Sequence, residues 1–354
     1  MKELILKIMS FFYGVAIKLR HWLFDAKIIN SEKFNDIPII CVGNITVGGT
    51  GKTPTVEMLV EHYSELYNVA ILSRGYGRRT KGYRVVELED SYRDVGDEPL
   101  QMKRKYPEAT VVVCEKRAFA IKRIREEFPD VNMIIMDDGF QHRYVEPLIN
   151  IIIVDYNRPV DHDNLLPYGQ LRDTVDSLYR AHYFIITKCP ETMKPINMRE
   201  RMWLAKKASQ AIFFSRMQPA APSPVFAEVN VTVPVGAKVI AMSGIGDNDA
   251  FNRGLEQRYN VVETINFDDH HSYRMSDVIL MQQLLEKHPD AVIMTTEKDA
   301  VKLSRSSAIP YEMRGRLFYE RIALRFVGDS RAELFAKIDN DIKNKDNEGY
   351  IRGL

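Results

Sequence analysis

Short runs of consecutive apolar, often β-branched residues recur along the chain, with helical periodicity between them. The runs fall at 37–42, 69–72, 110–114, 133–136, 150–154, 183–187 and 211–214, and the helical stretches at 53–66, 96–105, 116–127 and 198–209. Continuous rather than alternating apolar runs suit strands buried on both faces. Strands that alternate with helices predict a parallel sheet covered on both sides. The pattern breaks at 218–224, where Pro219, Pro222 and Pro224 crowd together, a composition typical of a linker. An extended stretch at 225–232 then leads into a second α/β series. Its strands are expected at 238–242, 261–265 and 291–295, and its helices at 249–258 and 276–287. A further extended segment at 317–325 and an amphipathic helix at 331–343 follow, and the polar tail 344–354 is expected to fray. No repeat of fixed period is visible.

The first residues have a different character. Lys2, Lys7, Lys18 and Arg20 interrupt a segment rich in Leu, Ile, Phe and Trp, and the longest uncharged run is 8–17. That falls short of the ~20 residues needed to cross a bilayer. No small-residue cleavage site follows it, which argues against a secretory leader. A basic amphipathic helix of this kind either lies in a membrane interface, with Phe11, Phe12, Leu19, Trp22 and Leu23 in the acyl boundary, or packs on the body of the protein. The pattern alone leaves both open.

Composition narrows the class. At roughly 150 residues per domain, 354 residues suggest two domains. Apolar residues make up 45% and charged ones 27%, the mix of an ordinary globular chain. The 49 basic residues balance 48 acidic ones, so the chain lacks the basic excess of a nucleic-acid-coating protein. The three cysteines, Cys41, Cys114 and Cys189, each lie near an apolar run without CxxC spacing, and are expected to be buried thiols rather than a disulfide or zinc framework.

The strongest local chemistry follows the first strand. Gly43-Asn44-Ile45-Thr46-Val47-Gly48-Gly49-Thr50-Gly51-Lys52-Thr53 joins a buried strand to a helix. Glycines let backbone N–H groups turn inward around phosphates, a lysine reaches the β/γ oxygens, and a hydroxyl after it ligates Mg²⁺. Thr46 stands where the strict P-loop pattern has glycine. A P-loop also needs a carboxylate at a neighbouring strand end, and 132–136 runs into Asp137-Asp138, followed by Gly139-Phe140-Gln141-His142. Thr46, Val47, Gly48, Gly49, Thr50, Gly51, Lys52 and Thr53 are therefore expected to hold the nucleotide, and Thr53, Asp137 and Asp138 the metal. No Asn-Lys-x-Asp guanine-reading motif is visible.

Other clusters are individually ambiguous. Ser73-Arg74-Gly75-Tyr76-Gly77-Arg78 suits contact with a phosphorylated or sugar ligand, or is a solvated turn. In Gly96-Asp97-Glu98-Pro99, Asp97 is either a helix cap or a carboxylate base facing an acceptor hydroxyl. The irregular stretch 155–172 carries Arg158 and Arg172, both suited to a phosphate. Asp268-Asp269-His270-His271 offers an acid–histidine pair or plain surface polarity.

Taken together, the ordered blocks VGNITVGGTGKTP (42–54), SRGYGR (73–78), GDEP (96–99), DDGFQH (137–142), LPYGQLR (166–172) and TEKDAVK (296–302) resemble the tetraacyldisaccharide 4'-kinase family, the lipid A 4'-kinases of Gram-negative envelope synthesis. The Thr46 position is also how that family's loop looks. One departure is 160–164, Val-Asp-His-Asp-Asn, where the family commonly has a Gly-Asn pair.

The resemblance implies transfer of the γ-phosphoryl of ATP, with Mg²⁺, to the 4'-hydroxyl of tetraacyldisaccharide 1-phosphate. It implies a P-loop NTPase-like parallel-sheet domain (31–217) and a smaller α/β lobe (236–354) closing over the site. A β linker (218–235) joins them, and an N-terminal membrane-interface helix (1–30) sits on the cytoplasmic face of the inner membrane. Asp97 becomes the catalytic base, tuned by His270 or His271 with His270 preferred, and Lys52 the catalytic cation. Arg74, Tyr76, Glu98, Gln141, His142 and Arg172 become substrate contacts. The expected partners are the lipid precursor and the membrane surface, with no nucleic acid and no obligatory protein partner. The competing reading is a P-loop NTPase acting as a switch or chaperone on a protein, which would not need an acceptor base at Asp97.

Overall fold

The computed structural model describes residues 1–204 and 207–351. Helix α1 (Lys2–Asp25) opens the chain. The first lobe then contains β1 (Ile39–Gly43), α2 (Lys52–Tyr63), β2 (Val69–Ser73), β3 (Arg84–Val85), α3 (Asp97–Lys105), β4 (Thr110–Val113), α4 (Arg117–Glu127), β5 (Met133–Asp137), β6 (Ile149–Asp155), β7 (Tyr183–Thr187) and β8 (Ala211–Pro219). The smaller lobe contains β9 (Ser223–Pro224), β10 (Lys238–Ser243), α5 (Asn248–Glu256), β11 (Asn260–Asn266), α6 (Met275–Lys287), β12 (Val292–Thr296), α7 (Glu297–Leu303) and β13 (Leu317–Glu320). The chain then returns through β14 (Ile322–Phe326) and α8 (Ser330–Ile351).

The large sheet has nine strands in the order β14-β8-β7-β6-β1-β5-β2-β4-β3. Its inner pairs are all parallel, and the antiparallel pairs β14–β8 and β4–β3 close its edges. Every residue of β1, β2, β5, β6 and β7 is buried, which is why these strands read as unbroken apolar runs. The strands after β1 go to either side of it, β2 beyond β5 and β6 on the other flank. In a doubly wound sheet this divergence opens a crevice at the strands' carboxyl ends. The smaller sheet has the order β9-β13-β12-β10-β11. Cys41, Cys114 and Cys189 are free and buried.

Four expectations are corrected. The C-terminal lobe does not run from 236 to 354. Arg321 separates β13, in the small sheet, from β14, which pairs with β8 of the large one. Leu334, Phe335, Ile338 and Ile342 of α8 then pack into the core beside α2, so an apolar helix face takes the chain home to the first lobe. The stretch 225–232 is a turn and loop rather than extended strand, because Val225 and Phe226 bury themselves in the small lobe's core. The helix expected at 198–209 is a short one, Pro195–Arg199, followed by a 3-10 turn (Met202–Leu204) that buries Leu204; 205 and 206 lie outside the described residues. The tail expected to fray continues α8 to Ile351, and 352–354 lie outside the described residues.

Helix α1 presents two faces. Ser10, Gly14 and Phe24 are buried against the body. Ser10 Oγ donates to the Leu165 carbonyl (2.7 Å), Tyr13 OH to that of Arg172 (3.1 Å) and Arg20 to that of Gln141 (2.8 Å), while His21 Nε2 meets Asp173 at 2.6 Å. Leu4, Ile5, Ile8, Met9, Phe11, Phe12, Val15, Leu19 and Trp22 are all exposed. At 100° per residue these fall on the face opposite the docked one. Among the described residues no helix is long and apolar enough to cross a membrane.

Candidate active site

The phosphate cradle forms where β1 gives way to α2. Gly48 (φ 89°) and Gly51 (φ 97°) adopt the left-handed region that side chains avoid. A Cβ on Gly51 would also lie 2.9 Å from Met217 Cε. Among the described residues, no backbone carbonyl accepts from the N–H groups of 48–53. Helix α2 therefore starts without a side-chain cap and with its positive end open, the arrangement that binds an anion. The loop is braced from behind. Asn44 Nδ2 donates to Thr50 Oγ1 (2.8 Å), Thr187 Oγ1 to the Thr50 carbonyl (2.7 Å), and Val47 N–H to the Gln170 carbonyl (2.9 Å). Arg158 lies against it, donating to the Val47 carbonyl (3.1 Å) and pairing with buried Asp155 (3.2 Å).

Beside the cradle, β5 ends in two carboxylates with opposite tendencies. Asp137 is buried, and burial plus repulsion from Glu98 and Asp138 pushes its carboxyl up; Ser73 Oγ donates to it at 3.4 Å. Burial would also raise Asp138, but the forked Arg172 guanidinium and then Lys52 outweigh it and hold the carboxyl at about 2. Lys52 Nζ stands 3.9 Å from Asp138 Oδ1, and Asp138 itself is left-handed at φ 50°. Arg172 also donates to Asn44 Oδ1, and Gln141 Nε2 to the Asn44 carbonyl (2.8 Å). Arg117, 2% exposed, adds a cation that faces Asp138 and Asp137.

The third part spans both lobes. Asp97 opens α3, and its Oδ1 accepts from the Glu98 N–H (3.1 Å). Its Oδ2 accepts from His270 Nδ1 (3.0 Å) and lies 3.7 Å from Lys298 Nζ and 3.6 Å from Lys302 Nζ. His270 Nε2 in turn lies 3.2 Å from Lys298 Nζ, so the neutral ring carries its proton on Nδ1 and aims it at Asp97. Burial would raise Asp97, but the His270 hydrogen bond and the lysine charges hold it well below the usual carboxylate range. The same hydrogen bond raises His270. A cavity of about 120 Å³, bordered by Tyr76, Arg79, Tyr92 and His270, opens onto Asp97.

This contact carries its own pH dependence. His270, raised in the fold, stabilises the joined lobes fully below about pH 6.5, and that contribution is lost as pH rises through its folded value. Asp97, depressed, contributes above about pH 3.9 and loses that contribution as pH falls toward its folded value. Thermal unfolding of wild type against His270→Gln is expected to differ most between about pH 4 and 6.5 and to converge at alkaline pH. An equal gap at every pH would contradict the pair.

The structure gathers most of the residues singled out from sequence. Thr46 to Thr53 form the loop whose Lys52 stands by Asp138, Glu98 lies close enough to repel Asp137, and Asp97 meets His270 across the lobes. His271 goes elsewhere: it stacks on Phe267 (4.1 Å between centroids) and pairs with Asp277 (2.9 Å). Tyr76 is exposed, its ring 5.1 Å from that of His270, and Arg74 is exposed. His142 accepts from the Arg117 N–H (3.3 Å), and burial, then Arg117, lowers it to about 4, so it is neutral. Arg172 faces Asp138 and Asn44 rather than open space. Sequence reasoning missed Arg117, Lys298 and Lys302. The lysines' i,i+4 spacing inside TEKDAVK was a usable signal. A lone arginine at the start of α4 was not.

A model of the family Tetraacyldisaccharide-1-P 4'-kinase matches residues 2–343. The chain belongs to this family. A tetraacyldisaccharide 4'-kinase of Porphyromonas gingivalis is 39% identical over 351 residues, covering 96% of this chain and 97% of that protein. One from Parabacteroides distasonis is 37% identical over 353 residues, covering 95% and 94%. Among solved structures, LpxK from Aquifex aeolicus, determined in complex with ATP, superposes with a TM-score of 0.74 at 27% identity, covering 96% of this chain and 99% of that one. The match of the 4'-kinase family runs through both lobes and α1, so the crevice, the lobe contact and the helix all lie inside it.

Proposed function

We propose that the chain is an ATP-dependent lipid kinase that moves the γ-phosphoryl group of ATP to the 4'-hydroxyl of tetraacyldisaccharide 1-phosphate. The observation that carries this reading is the lobe contact. A buried carboxylate, Asp97, is held by a histidine and two lysines from the second lobe, beside a P-loop. A nucleotide switch has no use for an acceptor base there.

The residues present fit Mg²⁺. Asp137 is a buried carboxylate that burial, Glu98 and Asp138 push up against the pull of Lys52 and Arg117, and Thr53 offers a hydroxyl in the first turn of α2. Among the described residues no three-carboxylate or histidine cage exists, which suits an ion that takes few protein ligands and completes its shell with phosphate and water. Bound there, Mg²⁺ would neutralise phosphate charge.

The open N–H groups of 48–53 and Lys52 hold the β- and γ-phosphates. Asp97 accepts the proton of the 4'-hydroxyl, while His270 keeps the carboxylate aimed and Lys298 and Lys302 hold the second lobe on it. Phosphoryl transfer asks mainly for alignment and charge neutralisation, and a crevice shared by two lobes supplies both. Arg172 fixes Asp138. Arg74, Tyr76, Gln141 and His142 are the contacts proposed for the phosphorylated sugar.

The outward apolar face of α1 supplies the acceptor's route. A substrate with four acyl chains resides in the bilayer, and Phe11, Phe12 and Trp22, flanked by Lys7 and Lys18, suit the interface of the inner membrane's cytoplasmic leaflet. Phe11→Ser/Phe12→Ser/Trp22→Ser is expected to weaken sedimentation with anionic vesicles at least about tenfold while ATP binding persists; undiminished sedimentation rejects the anchor.

The function is tested by ADP release in Mg²⁺-ATP with and without the lipid acceptor. A kinase releases ADP in proportion to acceptor consumed. ADP release indifferent to the lipid would favour the switch reading.

A further inference from the structure

The three helices that build the site meet a second time, away from it. Glu57 lies on α2 and is 4% exposed. Its Oε1 accepts from Gln101 Nε2 (2.9 Å) and its Oε2 from Lys105 Nζ (2.6 Å), both on α3. Lys105 Nζ also stands 3.6 Å from Oε1 of Glu297, the first residue of α7 in the smaller lobe. Arg321, the single residue between β13 and β14, reaches the same oxygen at 3.6 Å. Nearby, Tyr106 OH donates to Glu61 Oε1 (2.9 Å). One lysine thus ties a carboxylate of the phosphate-binding helix to a carboxylate of the closing lobe.

Two features set this junction apart from ordinary packing. Partly buried carboxylates gathered around Lys105, with Arg321 as a second cation on Glu297, make a poor adhesive, and apolar side chains would join the helices more stably. Burial, and then Glu297, pushes the Glu57 carboxyl up, against the pull of Lys105 and Gln101. A cavity of about 540 Å³ also opens alongside, between α2 and β14, bordered by Glu57, Lys105, Arg321, Leu324 and Phe326. The ion pairs extend a contact that α3 and α7 already make, where Val301 shares the core with Leu100 and Arg104 donates to the Val301 carbonyl (2.7 Å) and to Ser304 Oγ (2.8 Å). Residue 298 follows Glu297 directly, so the spacing of α7 on α3 sets where Lys298 and Lys302 meet Asp97.

We propose that Lys105 is a positioning residue, bridging Glu57 and Glu297 so that the smaller lobe's α7 is pinned to the phosphate-binding helix and its lysines are kept on Asp97. The kinetic part rests on the kinase reading above; the pinning of α7 does not.

The test uses the full chain as wild type, Lys105→Met, Glu297→Gln, the double variant and Lys105→Arg. Amide hydrogen exchange across 297–303 is expected to quicken at least about tenfold in Lys105→Met and in Glu297→Gln, and to return close to wild type in Lys105→Arg. In turnover with Mg²⁺-ATP and lipid acceptor, each single variant is expected to lose about tenfold in kcat. The double should lose scarcely more, because both remove one bridge. The Kd for ATP is expected to stay within about threefold, a split that general destabilisation would not produce. Glu297→Gln leaves the Lys105–Glu57 pair intact, so it tests the link between lobes even where Lys105→Met folds poorly. Unchanged exchange in Glu297→Gln, or losses in the two single variants that multiply in the double, would overturn the bridge. A wild type inactive on the lipid would condemn the kinase reading alone, with the exchange result still deciding the bridge.

Discussion

Asp97→Asn is expected to lower kcat by about 10²–10⁴-fold, the span that a positioned general base contributes. The substitution keeps the size of the side chain and lets its carbonyl oxygen accept from His270 Nδ1, now 3.0 Å from Asp97 Oδ2. What it removes is the charge that takes the acceptor's proton. Three cationic or potentially cationic groups then face an amide, so the lobes should also part more readily. The Kd for ATP, measured separately, is expected to hold, because the cradle at 48–53 makes no contact with this carboxylate. The resting carboxylate is held below its ordinary range by His270 and the lysines, against burial. A base that is never protonated near neutrality is available at every working pH, and its weakness is offset by placement beside the hydroxyl. An unchanged kcat with a raised KM for the lipid would reassign Asp97 to binding.

Lys52→Ala is expected to cost at least about 10³-fold in turnover, since it deletes a preorganised charge aimed at the transferred phosphoryl group. The fold should tolerate it. Lys52 is half-buried at the start of α2, and its carboxylate neighbour, Asp138 at 3.9 Å, keeps the forked Arg172. Melting should shift little while activity collapses. A variant within tenfold of wild type would remove the P-loop from the mechanism.

The reach of the sequence can be judged from particular residues. The large sheet was legible because its strands are buried on both faces, so 39–43, 69–73 and 133–137 carry no polar alternation to confuse with helix. The cradle was legible because glycine, lysine and threonine at fixed spacing have few other uses. The return of the chain was not. The residues of β13 and β14 form one extended pattern, and only the change of sheet at Arg321 divides them. Nor does local pattern reveal that Leu334 and Phe335 pack beside α2, since an amphipathic helix specifies that it packs and not on what. The same limit hid Lys298 and Lys302. Their meaning lies in Asp97, some two hundred residues earlier, and only tertiary structure brings the two lobes' charges together. His270 and His271 differ by one position and point to different carboxylates, Asp97 and Asp277, because His270 takes a left-handed backbone (φ 61°).

The most direct test of the account follows the label itself. Wild type and Lys52→Ala are incubated with γ-labelled ATP, Mg²⁺ and tetraacyldisaccharide 1-phosphate in detergent micelles, and the phosphorylated position is read by mass spectrometry and phosphorus NMR. The account predicts one labelled phosphate on the 4'-oxygen in wild type and none in Lys52→Ala. Labelled inorganic phosphate with an unmodified lipid would contradict it.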